Sequence, residues 1–123
     1  TTIEAAPTYC TSVGKAFLAF QDDVLVRRIA QEEGLKRYTP NTITDLGELL
    51  DELALVRARG FAIDNEENQV GLRCIGAPIR DAAGRVFASV SVSGPAERMP
   101  DMRLEGLAPL VIQTANDISK ALA

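Results

Sequence analysis

A carboxylate, a thiol and a row of hydroxyls fall within residues 64–94 of the sequence. Ser89, Ser91 and Ser93 alternate with apolar residues, and side chains two apart along a β-strand point to the same face. Serine is a poor strand former, so small hydroxyls repeated in this way indicate that something fits closely above the face. Hydroxyls donate and accept hydrogen bonds, and a carboxylate such as Asp64 accepts them, so the set can bind a small polar molecule. The competing interpretation is the wet face of a half-exposed sheet.

A β-hairpin is predicted to bring these groups together. Two apolar runs, residues 70–79 and 86–92, flank a tight turn that Asp81 can open and in which Gly84 can take the left-handed conformation. The period of two places on one face of the second run Val86, Ala88, Val90 and Val92. Opposite residues of an antiparallel pair share a face, so the register that joins the apolar rows brings Cys74 beside Ser91. The polar face is therefore expected to gather Cys74, Ser91 and Ser93.

A helix is predicted to begin at Thr11 or Ser12, since either side chain can cap its first turn. The residues at i, i+3, i+4 and i+7, which form one apolar face, are Val13, Ala16, Phe17 and Phe20. Gly14, in the first turn, offers a backbone N–H without a side chain to block approach, and helix N-termini favour anions. The alternative is an ordinary cap with a glycine chosen for close packing.

Two further helices precede the hairpin. Asp22 and Asp23 begin the second helix and Gly34 ends it, while Asp45 begins the third and Gly60 ends it. The residues expected to face inward are Val24, Leu25, Ile29 and Ala30 in the second helix, and Leu46, Leu49, Leu50, Leu53 and Val56 in the third. Residues 38–42 are predicted to form a loop between them.

A short apolar strand, residues 61–63, ends at Asp64 and leads into an acidic segment, residues 65–68, that we expect to be flexible. A C-terminal helix is predicted from Pro100 to Ala123, with one apolar stripe formed by Leu104, Leu107, Val111, Ile118 and Leu122. Runs of helices and strands that do not alternate indicate an α+β fold with an antiparallel sheet.

Composition narrows the function. The chain has 123 residues, which suits one domain, and a net charge of -4, which argues against binding of a phosphate backbone by this segment. No apolar run is long enough to span a bilayer, and the N-terminal residues lack the basic and apolar regions of a signal peptide, so a cytoplasmic protein that does not bind membranes is expected. Two cysteines, Cys10 and Cys74, are too few for a disulfide scaffold and are spaced unlike a zinc motif, so reduced thiols are expected.

Catalysis is disfavoured by the residues that are missing. The chain contains no histidine, so the usual general base and the commonest metal ligand are both absent. Cys74 near Asp64 raises the alternative of a thiol-dependent enzyme, but a thiol with no evident activating partner is usually inert. We therefore expect no catalytic residue, no metal site and no cofactor.

Four blocks of sequence in series resemble one known family. They are PTYCTSVGKAFLAF from Pro7, RYTPNTITD from Arg37, RARGFAIDNEENQVGLRCIGAPI from Arg57 and VSVSGP from Val90. Together they are similar to the effector-binding domain of the IclR family of bacterial transcription regulators, over nearly the whole chain. The resemblance implies a GAF-like domain whose antiparallel sheet is flanked by helices, with a pocket over the sheet that binds a small metabolite, commonly an organic acid.

The resemblance also implies a site and partners. The pocket residues that the resemblance implies are Ser12 and Val13 at the start of the first helix, together with Asp64, Cys74, Ser91 and Ser93. They overlap the residues already derived from strand alternation and from the helix start, to which Gly14 also belongs. Such domains usually follow an N-terminal winged helix-turn-helix that binds DNA, and they help to form homodimers or homotetramers. On this resemblance residues 1–123 are a partial effector-binding domain, without the DNA-binding domain and without the helix and strands that open the usual domain.

Two positions depart from the family pattern. The family often has a histidine where Tyr9 stands and an alanine where Cys10 stands, so the entrance of this pocket is expected to differ in polarity or size. The leading hypothesis is a ligand-sensing and oligomerisation domain of a DNA-binding transcriptional regulator, expected to be a repressor. The second hypothesis, besides the enzyme, is a structural oligomerisation module with a vestigial pocket.

Overall fold

The computed structural model describes residues 7–123, and within that range the chain forms four α-helices and three β-strands. In chain order these are α1 (Ser12–Leu18), α2 (Asp23–Glu33), α3 (Leu46–Arg59), β1 (Ala62–Asn65), β2 (Leu72–Arg80), β3 (Val86–Pro95) and α4 (Asp101–Leu122). A short 3-10 turn, Ala96–Arg98, leads into α4. The predicted order of three helices, a strand, a hairpin and a helix is confirmed. No helix within residues 7–123 combines the length and apolar character needed to cross a membrane.

The strands form an antiparallel sheet in the order β1-β2-β3. The β2–β3 turn has the chemistry that its residues predict: the Asp81 carboxylate accepts hydrogen bonds from the amides of Ala83 and Arg85, and Gly84 has a φ of 83°. Glycine adopts that left-handed conformation readily because it has no Cβ to clash with the backbone. The hairpin and the α+β architecture are thus as predicted.

Helices cover both faces of the sheet. On one face, α4 buries its apolar stripe against the apolar row of β2, and the buried members of this core include Ile75, Ala77, Leu104 and Val111. On the other face, α1 lies on the sheet and packs with α2 and α3 around a second core that includes Leu18, Leu49 and Leu53. The polar row of the hairpin therefore lies beneath α1.

One predicted face is wrong at Val86. The β2–β3 register shifts by one residue between Ile79, which pairs with Ala88, and Arg80, which pairs with Val86. Neighbouring residues of β2 point to opposite faces, so this bulge turns Val86 to the face of Arg80 and leaves Ala88 with Ile79. Ala88 and Val90 pack against the α4 core as expected.

The predicted helix ends are confirmed, whereas some of the residues predicted to face the core are exposed or only half-buried. Thr11, Asp22 and Asp45 cap α1, α2 and α3 through their side chains. Val24, expected to face inward, is 63% exposed, because Val26 fills that position in the core, and Leu122 is 61% exposed at the end of α4. In α1 the buried residues include Ser12, Lys15, Ala16 and Leu18, whereas Val13 and Phe17, and Phe20 just beyond the helix, are only half-buried.

Candidate functional site

A row of three polar side chains crosses the sheet. Asp64 of β1 is paired with Cys74 of β2, and Cys74 is paired with Ser93 of β3. Directly opposed residues share a face, so carboxyl, thiol and hydroxyl lie side by side. The predicted neighbour of Cys74 was Ser91, and this is wrong by two residues, since Ser91 is opposite Gly76 in the adjacent row. The shift is even, so both serines remain on the predicted face.

The start of α1 lies over that adjacent row. A side chain on Gly76 would begin 3.0 Å from the carbonyl oxygen of Ser12, so the glycine in β2 lets the helix lie close to the sheet. The Ser89 hydroxyl donates a 2.8 Å hydrogen bond to the carbonyl oxygen of Val13. Ser12 and Val13 are thereby held above β2 and β3, close to Ser91. The structure therefore brings together the two ends of the predicted site.

Gly14 does not have the predicted role. Its amide donates a 3.1 Å hydrogen bond to Thr11 Oγ1, and a Cβ on Gly14 would lie 2.3 Å from the carbonyl oxygen of Thr8. The glycine therefore permits close packing against the preceding chain, and its N–H is not open to an anion. Among residues 7–123, no group accepts a hydrogen bond from the amides of Ser12 and Val13.

A buried ion pair lies beside the row. The Lys15 side chain is fully buried, and its ammonium contacts both carboxylate oxygens of Glu67 at 2.9 and 3.0 Å. It also donates to the carbonyl oxygen of Ile63, the second residue of β1. The apolar periodicity of α1 does not predict Lys15, because such patterns assign lysine to solvent. A signal was present nonetheless: Lys15 is three residues after Ser12, on the same face of the helix.

The acidic segment after β1 is ordered, contrary to expectation. The amide of Glu67 donates to Asp64 Oδ1 at 2.8 Å, and the amide of Asn65 donates to Glu67 Oε2 at 2.9 Å. Buried hydroxyls from the loop before α3 bind the same segment, since Thr42 Oγ1 donates to the Glu67 carbonyl oxygen at 2.6 Å and Thr39 Oγ1 donates to the carbonyl oxygen of Glu66. Residues 64–67 therefore form a fixed wall of the site.

Burial sets the protonation of the site. Burial raises the pKa of the Cys74 thiol, and the nearby Asp64 carboxyl adds to this rise, while the Ser93 hydroxyl opposes it. For Cys10, which is also fully buried, burial and the charge of Asp64 raise the pKa to about 11. The thiolate is the nucleophilic form of cysteine, so both side chains act as neutral thiols near pH 7. Within residues 7–123 no three side chains of His, Cys, Asp or Glu are grouped as metal ligands.

Tyr9 and Cys10 do not line an entrance, contrary to the expectation from the family pattern. Both are in the core. The Tyr9 hydroxyl donates a 2.6 Å hydrogen bond to the carbonyl oxygen of Lys36, and the Cys10 thiol faces Asn68 Oδ1 at 3.7 Å. These residues therefore shape the packing behind the row.

Burial also raises the pKa of Asp64, against the lowering effect of the Glu67 amide. The ordinary pKa of aspartate, about 3.9, applies to the unfolded chain. The folded state thus binds a proton more readily, and its stability falls as pH rises from that value through the folded pKa. We expect Asp64→Asn to remove this slope, so that the variant gains stability relative to the parent between pH 4 and pH 7. Urea unfolding at both pH values checks this, and a stability difference independent of pH would contradict it.

The row is closed at one end and open at the other. Asp64 is 1% exposed and Cys74 is 6% exposed, whereas Ser91 is half-buried and Ser93 is exposed. The pocket that the resemblance implies over the sheet is therefore not enclosed within residues 7–123, and the site is a shelf that opens along β3. Hollows of about 510 Å³ and about 480 Å³ elsewhere on the surface are lined by other residues, the first between α2 and the start of α3.

Comparison with known proteins identifies the class. Residues 4–120 match the family model described as bacterial transcriptional regulator IclR C-terminal. The HTH-type transcriptional regulator BhcR of Paracoccus denitrificans is 44% identical over 115 residues, covering 94% of this chain and 41% of that protein. The chain thus spans about two fifths of the length of this curated relative.

Solved structures of transcription regulators have the same fold as this chain. The repressor BlcR of Agobacterium tumefaciens superposes with a TM-score of 0.89 at 32% identity, covering 94% of this chain and 47% of that one. The inducer-binding domain of PobR from Acinetobacter, a double mutant in complex with 3-hydroxybenzoic acid, superposes with a TM-score of 0.87 at 31% identity, covering 93% of this chain and 68% of that one.

Fold and matches together define a regulatory domain of bacterial transcription regulators, a class that is not enzymatic. The chain belongs to the IclR family and corresponds to its C-terminal, effector-binding domain.

Proposed function

We propose that residues 1–123 form the ligand-sensing and oligomerisation domain of a DNA-binding transcriptional repressor, and that the ligand is a small organic acid bound on the shelf over β2 and β3. The observation that carries this proposal is the row of Asp64, Cys74 and Ser93, which lies beside the neighbouring row that the start of α1 covers. A site built for a small polar ligand needs a few polar groups aimed at one place on an otherwise packed surface. The row and the helix start supply them.

The chemistry of the groups favours a hydroxylated acid. The hydroxyls of Ser91 and Ser93 and the amides of Ser12 and Val13 are neutral donors suited to a carboxylate. Asp64, at the buried end, would accept a hydrogen bond from a hydroxyl of the ligand. The neutral thiol of Cys74 would form a small, polarisable wall between them. The PobR domain, solved with an acid that carries both groups, supports this class of ligand.

DNA and partner subunits would be contacted elsewhere. The net charge of -4 does not suit a phosphate backbone, so we assign DNA binding to an N-terminal winged helix-turn-helix outside this chain. Homodimers or homotetramers would couple ligand binding by this domain to DNA binding by the winged helix-turn-helix domain. The ligand would shift the DNA-binding equilibrium only to the extent that it binds one state more tightly than the other.

Calorimetry on the intact protein tests the ligand proposal. The probes are two matched pairs, 3-hydroxybenzoate with benzoate and lactate with propionate, which differ in one hydroxyl. We expect Ser93→Ala to weaken the binding of the tightest acid about tenfold, the effect of losing a hydrogen bond to a charged group. Thr114→Val, which removes an exposed hydroxyl from α4, is the control and should leave the affinity unchanged.

Two results would count against the proposal. Equal affinity of Ser93→Ala and the parent would show that the acid binds elsewhere. An intact oligomer that binds none of the acids would instead favour the structural oligomerisation module.

A further inference from the structure

The Lys15 ammonium has no bonding capacity left for a ligand. An ammonium group has three N–H donors, and here the acceptors are Glu67 Oε1, Glu67 Oε2 and the carbonyl oxygen of Ile63. The side chain is fully buried, and Glu67 is nearly so. Lys15 is a fully buried cation, and all three of its N–H groups bond to acceptors within the protein.

The same contacts determine where the Asp64 carboxyl lies. Lys15 links α1 to Ile63 of β1 and to the Glu67 carboxylate, and the Glu67 amide in turn donates a 2.8 Å hydrogen bond to Asp64 Oδ1. The Glu67 carboxylate closes the loop by accepting from the Asn65 amide. One oxygen of Asp64 is therefore held by a loop whose position depends on the ion pair.

We infer that Lys15, acting through Glu67, is a positioning residue for Asp64, and that this pair sets the preference of the site for hydroxylated over unsubstituted acids. The inference rests on the proposed function. A carboxylate discriminates by hydrogen bonding only when it is held in place, because a mobile acceptor loses orientation on binding. Lys15 would thus control specificity without touching the ligand.

A variant that removes the pair without leaving one charge behind tests this inference. Lys15→Met combined with Glu67→Gln keeps the net charge and leaves a side-chain amide oxygen at position 67 that can accept from the Asn65 amide. The control combines Arg59→Met with Glu52→Gln, because Arg59 and Glu52 form a half-exposed ion pair at 3.7 Å on α3. Both double variants are compared with Asp64→Asn in the intact protein.

Two measurements are made on each variant. The first is the ratio of affinities within each matched pair of acids, 3-hydroxybenzoate over benzoate and lactate over propionate. We expect the Lys15 and Glu67 double variant to lose about tenfold in this ratio, as Asp64→Asn does, and the two changes combined to lose no more than either alone. The second is hydrogen exchange of the Glu67 amide, expected to become about tenfold faster while amides of α4 keep their protection.

The outcomes separate the two proposals. If no acid binds the parent protein, the proposed function fails and hydrogen exchange still decides whether the pair holds Asp64. An unchanged ratio, or unchanged exchange at Glu67, would overturn the positioning role. Faster exchange throughout the domain would also overturn it, because that result describes a general structural role. The Arg59 and Glu52 control should change neither measurement.

Discussion

Replacing Lys15 by Met alone is expected to lower the free energy of unfolding by about 3–5 kcal/mol at pH 7. The reason is that Glu67 would remain buried with an uncompensated charge, having lost both contacts of 2.9 and 3.0 Å from the ammonium. The Ile63 carbonyl oxygen would lose its donor at the same time. The expected loss is a large fraction of the total stability of an ordinary domain.

Chemical denaturation of the single and double variants measures this cost. Removing both charges, by Lys15→Met with Glu67→Gln, should recover most of the loss, because replacing a whole buried pair is often close to neutral. A single variant as stable as the parent would contradict the account, because it would show that the Glu67 charge is not left uncompensated when Lys15 is removed. A double variant as unstable as the single one would show that packing, and not the unpaired charge, is responsible.

Gly14→Ala is the second change with a large expected effect, a loss of about 3 kcal/mol. The new Cβ would lie 2.3 Å from the Thr8 carbonyl oxygen and 2.4 Å from its Cα. Both atoms belong to the backbone, so relief requires movement of α1 or of the chain before it. Because α1 starts over Gly76, we also expect weaker binding of any acid that uses the amides of Ser12 and Val13.

Gly106→Ala is the matched control for this prediction. Gly106 is also helical, but nothing lies within 4 Å of the position that its Cβ would take. Alanine is favoured over glycine in a helix by about 1 kcal/mol, so this variant should be slightly more stable than the parent. Thermal unfolding of both variants compares them directly, and equal stability of Gly14→Ala and the parent would contradict the close contact with Thr8.

The sequence predicts the face of the site correctly and its register incorrectly, because the hairpin contains two residues more than direct closure would give. Direct closure of the hairpin across residues 81–84 would pair Cys74 with Ser91. The loop instead extends to Arg85, since the Asp81 amide donates to the Arg85 carbonyl oxygen, and the bulge beyond Arg80 inserts one more residue. The two additions shift the register by two, so the serines keep their face while Cys74 meets Ser93.

The buried ion pair of Lys15 and Glu67 could not be predicted from the sequence pattern. Periodicity locates Asp64 at a strand end and Cys74 on the polar face, because both follow from backbone geometry. Lys15 and Glu67 are 52 positions apart in the chain, and only tertiary packing brings them together. Their charges give each residue the appearance of a surface position, which led to the wrong prediction of a flexible segment after Asp64.

A crystal structure of the intact protein with the acid that binds most tightly tests the central claim most directly. We predict that the ligand lies on the shelf over β2 and β3, with its carboxylate within hydrogen-bond distance of Ser93 Oγ and the amides at the start of α1, and its hydroxyl toward Asp64. Density for the acid in the hollow between α2 and α3, or on any surface that leaves the row of Asp64, Cys74 and Ser93 empty, would contradict the account.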